Sequence, residues 1–355
     1  MAAFPHFYGN NAIAQALAQM IQRQKISQTI LLAGPEGVGK ATLARRFAAV
    51  LVGQPEKIER DDLSLPANLT ILDDREKWTS EKRNDDPLLF STHPDFTTFA
   101  PDGPLRQITI QQMRYLRELA QRKPLRGSHR VILIDQLHRA NEQAANSLLK
   151  LLEEPPEHVI VIATAENLYD LLPTIRSRSV VFQFRRLNEN EIAEFARDRG
   201  LPDLEARIAL GEGCPGTVAT LKLEVFRQRR ELVLAALECG AGVTPFGEWV
   251  RESEGFSSRR SDKLDEYLKI AYTVLQDVLR AICGQALLAN RDAQERISRV
   301  AKHVTFSWIE LAVRKVDELV EMVRRNIQKA SALDAFVISL RNPAVSESTL
   351  REWRT

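Results

Sequence analysis

The chain has 355 residues, of which 44% are hydrophobic and 27% charged, and its formal net charge is +2. This length predicts two or three domains, and the composition excludes disorder on a large scale. The small net charge excludes a protein whose whole surface attracts nucleic acid, although a local basic face stays open.

The cysteines and the apolar runs indicate in which cellular compartment the protein is expected. The three cysteines, at positions 214, 239 and 283, are far apart and form no CxxC pair. They are therefore expected to be free thiols in a reducing compartment. The N-terminus lacks the pattern of a secretion signal, and no apolar run approaches 18 residues. We expect a cytoplasmic protein without a membrane partner.

The first predicted elements surround a glycine-rich loop. Apolar residues at helical spacing predict a helix over residues 11–24, and the run TILLA at 29–33 predicts a buried strand. The sequence GPEGVGKAT follows at 34–42, and a helix follows it. In a phosphate-binding loop, glycines let backbone N–H groups converge on phosphate oxygens, and a lysine reaches the β- and γ-phosphates. The candidate nucleotide-binding residues here are Gly34, Gly37, Gly39 and Lys40.

One position in this loop departs from the pattern. The pattern requires Ser or Thr directly after the lysine, because that hydroxyl binds Mg²⁺. The chain has Ala41 there, and Thr42 follows one position late. The loop therefore keeps the groups that hold phosphates and lacks one that supports hydrolysis.

The next segments predict a parallel sheet. Residues 52–92 are polar with few periodic apolar positions, which predicts an irregular surface segment. Beyond them an extended segment follows His93-Pro94-Asp95. Alternating strands and helices then indicate an α/β fold with a parallel sheet. The strands are predicted at 130–135, 159–164 and 180–184, and the helices at 110–121 and 140–154.

The end of the second buried strand is predicted to complete the nucleotide site. Asp135 is placed there to organise Mg²⁺, because ligands collect at the carboxyl ends of parallel strands. The alternative for Asp135 is a carboxylate that caps a turn. The next residue is Gln136. ATP-hydrolysing proteins with such a loop usually have a glutamate here, which orients or deprotonates the attacking water, and a glutamine side chain cannot accept a proton. Loss of groups at both 41 and 136 predicts weak nucleotide binding, or binding without turnover.

Only helices are predicted after residue 186. Asn188 and Glu191 form a capping-box pattern that opens a helix at Glu189. Longer amphipathic helices follow from about 224. We predict an α/β nucleotide-binding-type domain at 1–186, followed by helical regions at 187–223 and 224–355.

Several motifs resemble those of the delta-prime subunits of bacterial DNA polymerase III clamp loaders, which are AAA+ proteins. The run AANSLLKLLEEPP at 144–156 is close to the family pattern, and IRSRS at 175–179 resembles the family's SRC motif. Residues 9–40 and the His93-Pro94-Asp95 tripeptide also fit. The likeness covers residues from about 5 to 220 and is weaker beyond. It implies an AAA+ αβα domain at 1–186, a helical lid at 187–223 and an all-helical collar domain, through which subunits assemble, at 224–355.

The resemblance also assigns site residues. It implies that Arg178 is an arginine finger, which reaches into a neighbouring subunit's ATP site and stabilises charge on the γ-phosphate. The alternative is an exposed arginine that pairs with a surface carboxylate. Thr164 matches the family's first sensor position, which contacts the γ-phosphate in active subunits. The alternative is that its hydroxyl only forms hydrogen bonds with backbone groups at the end of the strand. Gly216 stands where ATP-hydrolysing subunits carry a sensor arginine.

The resemblance implies a clamp-loader subunit that does not hydrolyse ATP itself. Its implied partners are the tau/gamma and delta subunits, the sliding clamp and primer-template DNA. ATP or ADP would be held without turnover, through the loop residues with Thr42, Asp135 and Thr164. The four-cysteine zinc module frequent in relatives is not expected, because residues 52–92 contain no cysteine. Polymerase chemistry would belong to another subunit of the holoenzyme.

Two other functions stay open at this point. One is an active AAA+ ATPase of the tau/gamma type, in which Thr42 or water replaces the missing hydroxyl. The other is a DNA-binding module, since a cluster of basic residues could contact phosphates, although a solvated charged face would show the same pattern. The cluster comprises Arg114, Arg117, Arg122, Lys123, Arg126 and Arg130.

Overall fold

The computed structural model describes residues 4–257, 264–285, 288–323 and 329–342. The chain forms two compact units. One comprises the residues up to Leu201 together with Glu212–Ala219, and the other comprises Pro202–Gly211 and the residues from Thr220 onward. The domain boundaries at 186 and 223 stay a prediction.

The first unit is built on a six-stranded sheet with the order β2-β3-β4-β5-β1-β6. All neighbours are parallel except β2 and β3, which pair antiparallel. The central strands are buried on both faces, which explains why they are continuous apolar runs rather than alternating ones. The strands are β1 (Thr29–Ala33), β2 (Leu89–Phe90), β3 (Phe96–Phe99), β4 (Arg130–Ile134), β5 (Val159–Ala165) and β6 (Val180–Gln183).

Helices cover this sheet. The predicted helices begin and end within a few residues of their observed bounds, and the capping box of Asn188 and Glu191 is present. The helices of this region are α1 (Asn11–Gln22), α2 (Lys40–Val52), α3 (Pro55–Glu59), α4 (Pro66–Glu76), α5 (Ser80–Asp85), α6 (Ile110–Ala120), α7 (Glu142–Glu153), α8 (Pro173–Arg176) and α9 (Glu189–Asp198).

The prediction of an irregular segment over residues 52–92 is wrong. Most of this segment is helical, as α3, α4 and α5, and it ends in strand β2. A buried ion pair joins this segment to the rest of the unit: Arg75 of α4 is buried and binds the buried Asp102 through two nitrogen atoms, at 3.0 and 2.7 Å. The apolar periodicity that predicts helices is therefore weak here.

The second unit is helical in its described residues. Its core is formed by apolar faces of several helices and includes the fully buried Trp249 and Tyr267. The indole nitrogen of Trp249 donates to Asp334 at 2.7 Å. The remaining helices are α10 (Leu204–Gly211), α11 (Pro215–Thr220, largely in the first unit), α12 (Leu223–Gly240), α13 (Phe246–Ser257), α14 (Leu264–Ile282), α15 (Gln294–His303), α16 (Phe306–Val323) and α17 (Lys329–Arg341).

The predicted fold class is confirmed. A glycine loop joins the buried strand β1 to helix α2 within a mostly parallel αβα layer, and long helices follow it in the chain. Among the described residues, no helix is both long and apolar enough to span a membrane.

Candidate nucleotide site

The glycine loop lies at the carboxyl edge of the sheet, between β1 and α2. Gly34, Gly37 and Gly39 all have positive φ, at 143°, 75° and 100°. These values are accessible to glycine and rarely to other residues, so the sequence pattern is explained by the backbone path. The helix that begins at Lys40 adds the positive end of its dipole to this loop. The loop therefore has the backbone geometry that suits a phosphate group.

Lys40 is drawn back into the loop. Its ammonium group donates to the carbonyl oxygens of Gly34 and Pro35, at 2.6 and 2.7 Å. Only 9% of the residue is exposed, and burial lowers the pKa of its ammonium group. A phosphate ligand would have to compete with two backbone acceptors for this lysine.

A second segment of the chain closes over the loop. The backbone N–H of Gly216 donates to the carbonyl of Gly37 at 2.7 Å. A Cβ atom added at Gly37 would lie 2.9 Å from the hydroxyl of Thr217, and one added at Gly216 would lie 2.9 Å from Gly37 Cα. Gly216, the position where the sequence resemblance implies a sensor arginine in ATP-hydrolysing subunits, therefore lies against the loop backbone, without space for a side chain.

This contact predicts the effect of Gly216→Ala. The new methyl group would meet the backbone of Gly37, which cannot move without distorting the loop, so we expect a loss of about 1–3 kcal/mol in stability. Urea unfolding followed by fluorescence measures it. Gly247→Ala is the matched control, since Gly247 also lies in a helix and an added Cβ there meets nothing within 4 Å. Equal stability of both variants would contradict the close approach.

The predicted residues of the second and third buried strands meet beside the loop. The hydroxyl of Thr164, at the end of β5, donates to Asp135 Oδ1 at 2.5 Å and accepts the backbone N–H of Gln136 at 2.8 Å. Burial raises the pKa of the Asp135 carboxyl, while the Thr164 hydroxyl opposes that shift. Thr164 thus satisfies strand-end backbone and orients Asp135. Thr42 is the third residue of α2 and is partly buried.

The raised pKa of Asp135 gives a pH-dependent prediction. The folded state favours the protonated carboxyl, so ionised Asp135 costs stability above the raised pKa, and the cost disappears below the unfolded-state pKa. Asp135→Asn keeps the acceptor for Thr164 and has no charge. We expect its melting temperature to exceed that of the wild type at about pH 8, with the difference shrinking towards about pH 4. Asp170→Asn, on an exposed turn, controls for the loss of one charge. A difference that grows as the pH falls would refute the assignment.

Sequence reasoning missed a contact between a histidine and a carboxylate at this edge. His138 Nε2 lies 3.4 Å from Glu166 Oε1, and the pair lowers the pKa of the Glu166 carboxyl. Glu166 and Asp135 both act electrostatically on the Lys40 ammonium. The signal was present, because Glu166 follows Thr164 by two residues and therefore ends at the same sheet edge. Its carboxylate adds negative charge near the Lys40 ammonium.

Among the described residues, no group of three or more His, Cys, Asp or Glu side chains could hold a metal ion. The missing hydroxyl at Ala41 and the amide of Gln136 leave Asp135 as the carboxylate that faces this loop from β4. Asp135 and Glu166 beside this loop therefore belong to no such group in the described part of the chain.

Arg178 lies on the surface, just after α8. Its Nη2 atom is 3.2 Å from Glu153 Oε1, and its Nη1 donates to the carbonyl of Thr174 at 3.1 Å. Its side chain is 36% exposed. In the single chain, Arg178 therefore pairs with a surface carboxylate, and it remains accessible to a neighbouring molecule. Arg176 is less exposed, and its guanidinium packs on the ring of Tyr169.

The basic cluster of the DNA-binding hypothesis is smaller than the sequence suggested. Arg130 is 3% exposed and donates to the carbonyls of Pro94, Arg122 and Lys123, with Asp95 Oδ1 3.6 Å away. It therefore fixes a loop and cannot contact phosphates. Arg114, Arg122, Lys123 and Arg126 are exposed, and Arg117 is partly exposed.

Comparison with known proteins decides the family. Residues 9–188 match the sequence family described as DNA polymerase III, delta subunit. The chain belongs to this family. The matched region spans the whole sheet of the first unit, including the glycine loop, Asp135, Thr164 and Arg178.

Relatives of this delta-subunit family support the resemblance seen in the sequence. The chain is 30% identical to DNA polymerase III subunit delta′ of Pseudomonas aeruginosa over 230 residues, which cover 63% of this chain and 65% of that protein. It is 26% identical to subunit delta′ of Escherichia coli over 235 residues, covering 65% and 69%. Subunit gamma of Buchnera aphidicola from Schizaphis graminum is 28% identical over 196 residues, covering 55% and 48%. The matches thus span about half to two thirds of these relatives, and the resemblance to delta-prime subunits is confirmed.

Proposed function

We propose that this chain is a clamp-loader subunit of DNA polymerase III that lacks ATP turnover and provides Arg178 to a neighbouring ATPase subunit. The observation that carries the proposal is the state of the glycine loop. Its lysine donates to Gly34 and Pro35, and its apex is joined to Gly216 by a backbone hydrogen bond. The lysine that would hold a triphosphate is thus engaged within the protein, and the carbonyl of Gly37 ties the loop apex to Gly216.

The side chains at positions 41 and 136 support the absence of ATP turnover. Hydrolysis needs a hydroxyl at position 41 to bind Mg²⁺ and a carboxylate at 136 to activate water, and the chain has alanine and glutamine. Asp135 is further held by Thr164, and burial disfavours its ionised form. If ATP or ADP is bound, the loop N–H groups and Lys40 would hold its phosphates.

In this proposal, Arg178 acts at the ATP site of a neighbouring subunit, where it stabilises charge on the phosphate. A guanidinium can donate two parallel hydrogen bonds to phosphate oxygens and stays charged at all physiological pH values. Its present partners, a half-exposed carboxylate and one backbone carbonyl, are of the kind that contributes little to stability and is readily exchanged. The proposed partners are tau/gamma and delta subunits, with the sliding clamp and primer-template DNA in the full assembly.

The experiment that tests this function is reconstitution with tau/gamma and delta subunits, followed by measurement of DNA-stimulated ATPase and clamp loading. The isolated chain should show no turnover, and the complex should depend on Arg178. The match to a gamma subunit favours one alternative, an ATPase in its own right. Turnover by the isolated chain that Lys40→Ala abolishes would establish that alternative.

A further inference from the structure

We propose that Glu153 is a positioning residue for Arg178: it holds the finger guanidinium in one orientation before the neighbouring subunit's nucleotide arrives. This inference rests on the function proposed above. The carboxylate contacts Nη2 at 3.2 Å, while the Thr174 carbonyl accepts from Nη1 at 3.1 Å. Two acceptors from two different helices thus fix both ends of one planar group.

The packing of α7 on α8 creates this arrangement. Ile175 of α8 is 1% exposed and belongs to the same apolar cluster as Leu152, the residue before Glu153. The Ser179 hydroxyl donates to the Ile175 carbonyl at 2.8 Å, and the backbone N–H of Arg178 donates to the same carbonyl at 3.2 Å. The backbone beside both residues of the pair is therefore anchored by packing and by hydrogen bonds.

The exposure of the pair argues against a role in stability. The side chains of Arg178 and Glu153 are 36% and 53% exposed, and ion pairs in such surroundings contribute little to folding. An arginine side chain has many rotamers, however, and restricting them in advance lowers the cost of docking its guanidinium on a phosphate. Positioning of a reacting group also acts on the rate of the chemical step more than on substrate affinity.

The neighbouring residue provides a matched control. Glu154 has the same chemistry, is also exposed and is the C-cap residue of the same helix. Among the described residues, it has no ion pair with an arginine or lysine at 4 Å or less. Glu153→Gln and Glu154→Gln each remove one exposed charge. They therefore differ mainly in that only the first removes the contact with Arg178.

The test is the stimulated ATPase of the reconstituted complex. Glu153→Gln should lower kcat about fivefold with the KM for ATP unchanged, and Glu153→Asp should recover part of the loss. Glu154→Gln should match the wild type. Because the pair is exposed, the advantage of the wild type over Glu153→Gln should shrink as salt rises from about 0.05 to 0.5 M. A purely structural effect would instead lower the melting temperature, without this salt dependence.

A double-mutant cycle separates this inference from the proposed function. In the Arg178→Ala background, Glu153→Gln should have no further effect. A normal rate for Glu153→Gln, or an equal loss in the presence and absence of Arg178, would overturn the positioning role while leaving the finger intact. A complex that is unaffected by Arg178→Ala would overturn the finger and the positioning role together.

Discussion

Replacing Arg178 with alanine is expected to abolish most of the stimulated ATPase of the assembled complex. An arginine supplied in trans to a transferring phosphoryl group is worth about 10³–10⁵ in rate, so we expect a loss of about a thousandfold or more at the affected ATP site. The guanidinium is accessible, and its two present partners are a surface carboxylate and one carbonyl. Steady-state ATPase with primed DNA and clamp is the measurement.

Two further variants show which property of Arg178 the ATPase rate depends on. Arg178→Lys keeps the charge and loses the planar fork, so it should recover only a small part of the rate. Arg23→Ala removes another exposed arginine from the same unit and should leave the rate unchanged. Gel filtration should show normal assembly for all three variants. Full ATPase and clamp loading by Arg178→Ala would refute the finger assignment.

Replacing Arg75 with alanine is expected to unfold the helical segment between α2 and β3. The Arg75 side chain is 5% exposed and that of Asp102 is 2% exposed, and two hydrogen bonds of 3.0 and 2.7 Å join them. Removing the guanidinium leaves a buried carboxylate whose remaining hydrogen bond comes from the Gly103 N–H at 2.7 Å. Breaking a buried pair in this way costs about 3–5 kcal/mol.

Urea unfolding and limited proteolysis of residues 55–86 measure this loss. Arg106→Ala is the control, because Arg106 also pairs with acidic residues of α4, Asp73 and Glu76, but is 29% exposed. It should cost no more than about 1 kcal/mol. The double change Arg75→Leu with Asp102→Leu removes both charges and should recover much of the loss. Similar losses for Arg75→Ala and Arg106→Ala would show that the buried pair is not what orders this segment.

The sequence predicted those parts of the structure that depend on a few neighbouring residues. The strands β1, β4 and β5 are apolar runs because both their faces are buried, and this pattern is visible in the letters alone. The glycine loop was equally visible, since positive φ values require glycine at fixed spacing. Residues 52–92 do not show such a pattern, because one of the contacts that hold their helices is a buried ion pair between Arg75 and a residue 27 positions away.

The amino-acid sequence by itself determined the α/β class, the loop that fits phosphates and the two substitutions that argue against hydrolysis, at Ala41 and Gln136. These follow from side-chain chemistry and short-range spacing. Only the tertiary structure decided that Gly216 lies on Gly37, that Arg130 is buried and that Glu153 contacts Arg178. Such contacts join residues distant in the chain, and they arise from how helices pack on the sheet, which no local pattern encodes.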